Sequence, residues 1–168
     1  QNLYDTARSN PKRVVFAEGT HPTMLQAAVR AKEEGICFPI LLGNDVQIKQ
    51  TAEELKLNLE GIEILNLRND TQNERRHRYA QLFAKKMERK GYTPQEAEDK
   101  MYERNYFGMM MVETGEADAF ITGLYTKYSN TFKVARAVIG IREGYNHFGT
   151  MHLVNTKKGI LFVADTLV

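Results

Sequence analysis

A chain of 168 residues that is 42% hydrophobic and 26% charged suits one globular domain of ordinary size with room for a real core. Its 23 basic and 21 acidic residues leave a formal charge of +2, too small a surplus for a dedicated nucleic-acid binder. No apolar run approaches the roughly 18–20 residues that span a bilayer, and the N-terminal QNLYDTARSNPKR lacks the apolar core of a signal peptide, so the expectation is a cytoplasmic protein with no membrane partner.

Lys12-Arg13-Val14-Val15-Phe16-Ala17 reads as a buried strand that stops at Glu18-Gly19. Pro22 opens a helix whose Met24, Leu25, Ala28 and Ala31 line one face, and Gly35 closes it. The single cysteine, Cys37, sits among Ile36, Phe38 and Pro39 and reads as a packed thiol rather than a reactive one. Pro39-Ile40-Leu41-Leu42 is a second strand ending at Gly43-Asn44-Asp45, and a helix carrying Val46, Ile48, Ala52 and Leu55 follows. Ile62-Glu63-Ile64-Leu65 is a third strand. Residues 70–90 are strongly helical, with Tyr79, Leu82, Phe83 and Met87 on one stripe and Gly91 as the stop.

Thr93-Pro94-Gln95-Glu96 carries the signs of a capped helix start, with proline at the first position and a glutamate three residues after the cap. Tyr106 to Val112 is apolar all round, so that helix belongs in the core, its three consecutive methionines serving as packing. Ala119-Phe120-Ile121 is a fourth strand and residues 129–139 a further helix. Beyond Gly144, residues 148–154 and 160–164 are β-like runs joined by the hairpin-type turn Asn155-Thr156-Lys157-Lys158-Gly159. Two strands alone cannot bury both faces or pair both edges, so this last piece reads as cut, or as completed by another chain.

Strands alternating with helices predict an α/β domain with a parallel sheet and helices on both faces. Ligands of such sheets sit beyond the carboxyl ends of the strands. That rule selects Glu18-Gly19, Gly43-Asn44, Thr122-Gly123 and Asp165-Thr166. No Walker-type phosphate loop, G-x-G-x-x-G, G-x-S-x-G or H-E-x-x-H occurs, and the four histidines lack metal-ligand spacing. The basic helix from Glu74 to Lys90 reads as a solvated face whose last-turn cations complement the helix dipole, with Arg89 and Lys90 the best candidates for a ligand contact. The stretch GEADAFITGLYTKYSNTFKVARAVIG is the better anion site. Thr122 and Gly123 offer N–H groups and a hydroxyl at a strand end, Ser129 or Asn130 caps the next helix, and Lys133 and Arg136 add charge.

The ordered motifs resemble those of the phosphate acetyl/butyryltransferases. Val14-Val15-Phe16-Ala17-Glu18-Gly19 is similar to that family's strand-Pro-Glu-Gly opening, and Pro39 to Asn44, Tyr106-Phe107-Gly108, Gly115-Glu116-Ala117-Asp118 and Phe162-Val163-Ala164-Asp165 follow in the family's order along nearly the whole chain. The resemblance implies the isocitrate dehydrogenase-like (phosphotransacetylase) fold, an αβα parallel-sheet domain over residues 1–142, with residues 143–168 as the initial, incomplete strands of a second domain. Ala17 in place of the usual proline, together with Val138 to Gly144 and Ala164-Asp165-Thr166, looks most like the C-terminal phosphotransacetylase-like domain of large bacterial malic enzymes.

That subgroup implies a regulatory domain binding acetyl-CoA or a related acyl-CoA and supporting a homo-oligomer. The partner is an N-terminal malic enzyme domain on the same polypeptide, to which NAD(P) and a divalent metal would belong; no cofactor or metal is expected in this chain. By resemblance and position the ligand-binding candidates are Glu18, Gly19, Arg89, Thr122, Gly123, Tyr128, Thr131 and Lys133, with no catalytic residue. Lys133 stands where the family has an arginine, and a second family arginine falls on Met87 or Arg89 depending on a gap. The alternative is a phosphate acetyltransferase without the distal segment that carries the family's catalytic serine and aspartate. An interaction module with no ligand is the third reading.

Overall fold

The computed structural model describes residues 3–164. Helix α1 (Leu3–Ser9) buries none of its residues and is tied down by Arg8 Nε donating to the Glu34 carbonyl at 2.7 Å. With no apolar face, it gives no periodic signal in the sequence. Strands β1 (Lys12–Phe16), β2 (Cys37–Leu42), β3 (Glu63–Leu65) and β4 (Ala119–Ile121) form one sheet in the order β3-β2-β1-β4, every pairing parallel. The expected α/β architecture is therefore present. Pro39, which has no N–H to donate, sits where β2 pairs with β1 alone, because pairing with β3 begins only at Ile40.

Alternation along each strand distributes the core between two layers. Phe16, Cys37 and Leu41 face α2 (Pro22–Glu33) and α3 (Asp45–Glu54), packing with Met24, Leu25, Val29 and Ile48. Val15, Ile40 and Leu42 face the other way, towards α4 (Asn73–Met87), α5 (Pro94–Lys100), α6 (Arg104–Glu113) and α7 (Tyr128–Val138). Cys37 is buried as expected, and burial pushes its thiol pKa up.

The expected helix signals operate, with some differences. Asn44 caps α3 by accepting from Gln47 N–H at 3.0 Å. The capping box of α5 is complete, Glu96 N–H donating to the Thr93 hydroxyl at 3.2 Å and Thr93 N–H to the Glu96 carboxylate at 2.8 Å. Helix α6 is buried continuously from Asn105 to Met111, the three methionines included. A Cβ on its Gly108 would stand 2.4 Å from the Phe120 ring, so only glycine lets α6 lie this close to β4. Leu82, expected on the apolar stripe of its helix, is exposed. At about 100° per residue Leu82 lies well round the side from the stripe that α4 does bury, Arg76, Tyr79, Ala80, Phe83 and Met87.

Strands β5 (Met151–Thr156) and β6 (Gly159–Ala164) form a separate antiparallel ribbon turning at Lys157-Lys158. Phe148, expected in β5, instead packs edge-on against Phe132 of α7 at 5.0 Å between ring centroids. Among the described residues no helix is long and apolar enough to cross a membrane.

Candidate functional site

The chain visits β1, β2 and β3 in sequence and then crosses back to place β4 on the other side of β1. The order of strands reverses between β1 and β4, and at such a switch point the carboxyl ends of neighbouring strands diverge into a crevice. A cavity of about 660 Å³ opens there. Its wall takes residues from just beyond every strand of the sheet: Ala17 after β1, Gly43 and Asn44 after β2, Asn66 to Arg68 after β3, and Thr126 after β4. The start of α6 and the first turns of α7 close the sides.

The cavity is electropositive. Arg68, Lys100, Arg104 and Lys133 line it against a single carboxylate, Glu103, which pairs with Lys100 at 2.7 Å. That contact raises the Lys100 pKa, so the ammonium stays charged across the physiological range. Arg104 lies over the Tyr125 ring at 5.2 Å from its centroid. Among the described residues Arg68 and Lys133 have no carboxylate within ion-pair distance, which leaves their charge for a ligand. The amino end of α7 adds its dipole from the same side. Its N-cap is Lys127 with no side-chain cap, so Ser129 and Asn130 are the second and third helical residues rather than the cap expected of one of them. Asn130, Lys133 and Val134, three and four positions apart, turn one face of α7 to the cavity.

The opposite rim is organised by Arg76. Its place in a run of cations predicts a solvated side chain, yet it is 3% exposed. Its guanidinium donates to the carbonyls of Leu67 and of Asn69, the latter at 3.1 Å, and lies 4.5 Å from the centroid of the Tyr102 ring. One buried cation thus joins the loop after β3 to the turn before α6. Most of its neighbours are also paired internally: Arg75 and Arg78 with Glu116, and Lys86 with Glu113 and the carbonyl end of α7. A helix read as presenting cations to solvent in fact uses several of them in tertiary contacts.

The candidate residues fall into separate places. Lys133 lines the cavity. Thr122, Gly123 and Glu18 do not line it and bond to one another: the Thr122 hydroxyl donates to Glu18 Oε1 at 3.0 Å and Gly123 N–H at 3.1 Å. Gly19 lies against β2, where a Cβ would stand 2.9 Å from the Leu42 carbonyl oxygen. The Thr131 hydroxyl is buried and makes no hydrogen bond, and Tyr128 stacks on Phe132 at 6.0 Å on a half-exposed face of α7. Arg89 follows α4 at the end marked by Lys86 and Glu113 and does not line the cavity. Asp165 and Thr166 lie outside the described residues.

Sequence reasoning passed over Arg68, Lys100, Arg104 and Asn105. The strand-end rule, applied to β3, reaches Asn66 to Arg68 directly. Lys100 and Arg104 had no such signal, because they flank a junction between two helices. Among the described residues no group of three or more His, Cys, Asp or Glu is placed to hold a metal ion.

The profile of the phosphate acetyl/butaryl transferase family matches residues 1–168. The chain is 32% identical over 167 residues to the NADP-dependent malic enzyme of Salmonella typhimurium, covering 99% of this chain and 22% of that protein. It is 30% identical over 174 residues to the phosphate acetyltransferase of Thermoanaerobacterium thermosaccharolyticum, covering 100% of this chain and 52% of that one. The EutD phosphotransacetylase of Staphylococcus aureus shares the fold at a TM-score of 0.77 with 24% identity, covering 92% of this chain and 46% of that one. The chain thus spans about a fifth of the malic enzyme and about half of each transferase. With its motif order, its parallel sheet and its strand-end cleft on record, the chain belongs to the phosphate acetyl/butaryl transferase family.

Proposed function

We propose that this chain is the phosphotransacetylase-like regulatory region of an NAD(P)-dependent malic enzyme, and that it binds acetyl-CoA or a related acyl-CoA in the strand-end cleft. The observation that carries this reading is the chemistry of the cleft wall. Four cations face one carboxylate, and that carboxylate is already paired with Lys100. Such a wall attracts the phosphates of a coenzyme A ester. Among the described residues no histidine and no unpaired carboxylate lines it, so those side chains supply charge without a free general base for acyl transfer. The likeness to malic enzymes of which this chain covers the equivalent of 22% supports the same assignment. The malate chemistry, its nicotinamide and its divalent metal then belong to the linked domain, and oligomerisation through this region completes the proposal.

A second reading is favoured by the match to phosphate acetyltransferase along the full chain: transfer of acetyl between coenzyme A and phosphate. One pair of measurements on the natural full-length protein separates the two. Malate oxidation is titrated with acetyl-CoA in wild type and in Lys133→Ala. A charge-assisted contact of about 1.5–3 kcal/mol predicts a midpoint shifted by about 10- to 150-fold. An unchanged midpoint rejects the cleft as the effector site. Acetyl phosphate formation from acetyl-CoA and phosphate well above background supports the transferase instead.

A further inference from the structure

The crevice at the β1–β4 switch point already contains an anion. Glu18 lies two residues beyond the end of β1 and is 0% exposed. Its carboxylate accepts from the Thr122 hydroxyl at 3.0 Å and from three successive backbone N–H groups: Gly123 at 3.1 Å, Leu124 at 3.2 Å and Tyr125 at 3.4 Å. Gly123 N–H also reaches the second oxygen at 3.3 Å. Among the described residues no cation lies within ion-pair distance of Glu18. A fully buried charge with no counter-ion must be met by dipoles, and a run of consecutive N–H groups turned to one point is a recognised way to meet it.

We infer that Glu18 is the permanent internal anion of this nest, a positioning residue that fixes residues 122–125 and does not touch the ligand. These residues belong to no helix or strand, so Glu18 supplies the acceptors that a sheet or helix would otherwise provide. The loop leads straight into Thr126 and then into Asn130 and Lys133 on the cavity wall. It also carries Tyr125, which sits under Arg104 and edge-on to His21 at 5.2 Å. Fixing this loop therefore fixes where two of the four cavity cations stand. A ligand phosphate must bind in front of the loop, on side chains and the α7 terminus, because the strand-end N–H groups are turned away from it.

The affinity part of the test rests on the acyl-CoA reading; the exchange part does not, so failure of one is distinguishable from failure of the other. Hydrogen exchange is followed by mass spectrometry in the natural full-length protein without ligand. In wild type the amides of Gly123, Leu124 and Tyr125 exchange far more slowly than those of Thr126 and Lys127. Glu18→Ala opens the nest and speeds exchange at those three by about tenfold or more. Added formate, compared with chloride at equal ionic strength, restores the slow exchange by occupying the vacated position. Glu18→Gln keeps a carbonyl oxygen where these donors meet but carries no charge, so it speeds exchange less than Glu18→Ala and shows no formate rescue. In the affinity part, Glu18→Ala weakens acetyl-CoA binding by about tenfold and formate recovers it. A general loss of packing would not respond to formate. Fast exchange at the three wild-type amides, or no response of Glu18→Ala to formate, overturns the proposal.

Discussion

The two sheets of this chain are built from similar residues and end in opposite environments. Val15 and Leu41 in the four-stranded parallel sheet are 0% exposed, whereas Leu161 and Phe162 in the ribbon are 57% and 64% exposed. The parallel strands are joined by helices, and each connection lays a layer across the sheet it has just left. The ribbon's strands are joined by a two-residue turn that covers nothing. Strand composition reports that a segment can be buried; within these 168 residues the connections decide whether it is.

The largest effect should come from cutting into the covered sheet. Leu41→Ala removes a side chain packed between β2 and the α2–α3 layer, at a cost of about 2–5 kcal/mol. For a chain of this size that lowers the thermal midpoint by on the order of 5–15 °C. If Phe162→Ala, measured in the same 168-residue chain, destabilises as much, the ribbon is covered in solution and the contrast fails.

A smaller effect tests how the edge of the parallel sheet is held. Asp118, just before β4, accepts the Arg13 N–H at 2.8 Å and the Arg13 guanidinium at 3.3 Å. The backbone bond is the largest of the causes that hold its carboxyl below the ordinary value, ahead of the side-chain bond to Arg13. A depressed carboxylate contributes stability that is complete above its unfolded value, about 3.9, and is lost as pH falls through the lower folded value. Asp118→Asn should therefore lower the midpoint at pH 7, and the gap from wild type should close as pH falls below about 4. A gap that is constant with pH would mean that the contact with Arg13 stabilises without depending on the charge of Asp118, and that the ribbon differs from the sheet in covering alone.

The smallest effect on stability belongs to the ribbon. Phe162→Ser should change the midpoint of the 168-residue chain by no more than about 0.5 kcal/mol equivalent. It should nevertheless reduce association, because Leu161, Phe162 and Val163 present an open apolar edge and face. Sedimentation of wild type at roughly tens of micromolar, the range in which exposed surfaces associate, supplies the comparison. A wild-type monomer sharpens the contrast differently, by showing that the ribbon's exposed face is not adhesive.

Much of the scaffold was legible because local rules and tertiary needs coincide in it. The run from Lys12 to Ala17, the proline at the start of α2 and the Thr93–Glu96 box each signal through nearest neighbours, and each is present. Helix α1 was missed because it buries nothing. The site was legible only in part. The strand-end rule led to the right edge of the sheet, and Lys133 was found there. Arg68 follows a strand end that carries no glycine to mark it, and Lys100 and Arg104 arrive from a helix junction more than thirty residues further along the chain.

By itself the sequence determined which segments become strands and helices, their parallel α/β arrangement and the family, because periodicity, caps and motif order are properties of residues close together in the chain. Only the tertiary structure decided which charges face a ligand. Glu18 and Thr122 are 104 positions apart, yet they meet at the junction of β1 and β4, where the carboxylate takes the N–H groups that the sequence seemed to offer to something else. Arg76 looks like one of several surface cations until the loop after β3 turns its carbonyls towards it. A charge's role depends on what the fold brings within about 3 Å of it, and that distance is set by the packing of the sheet, not by spacing along the chain.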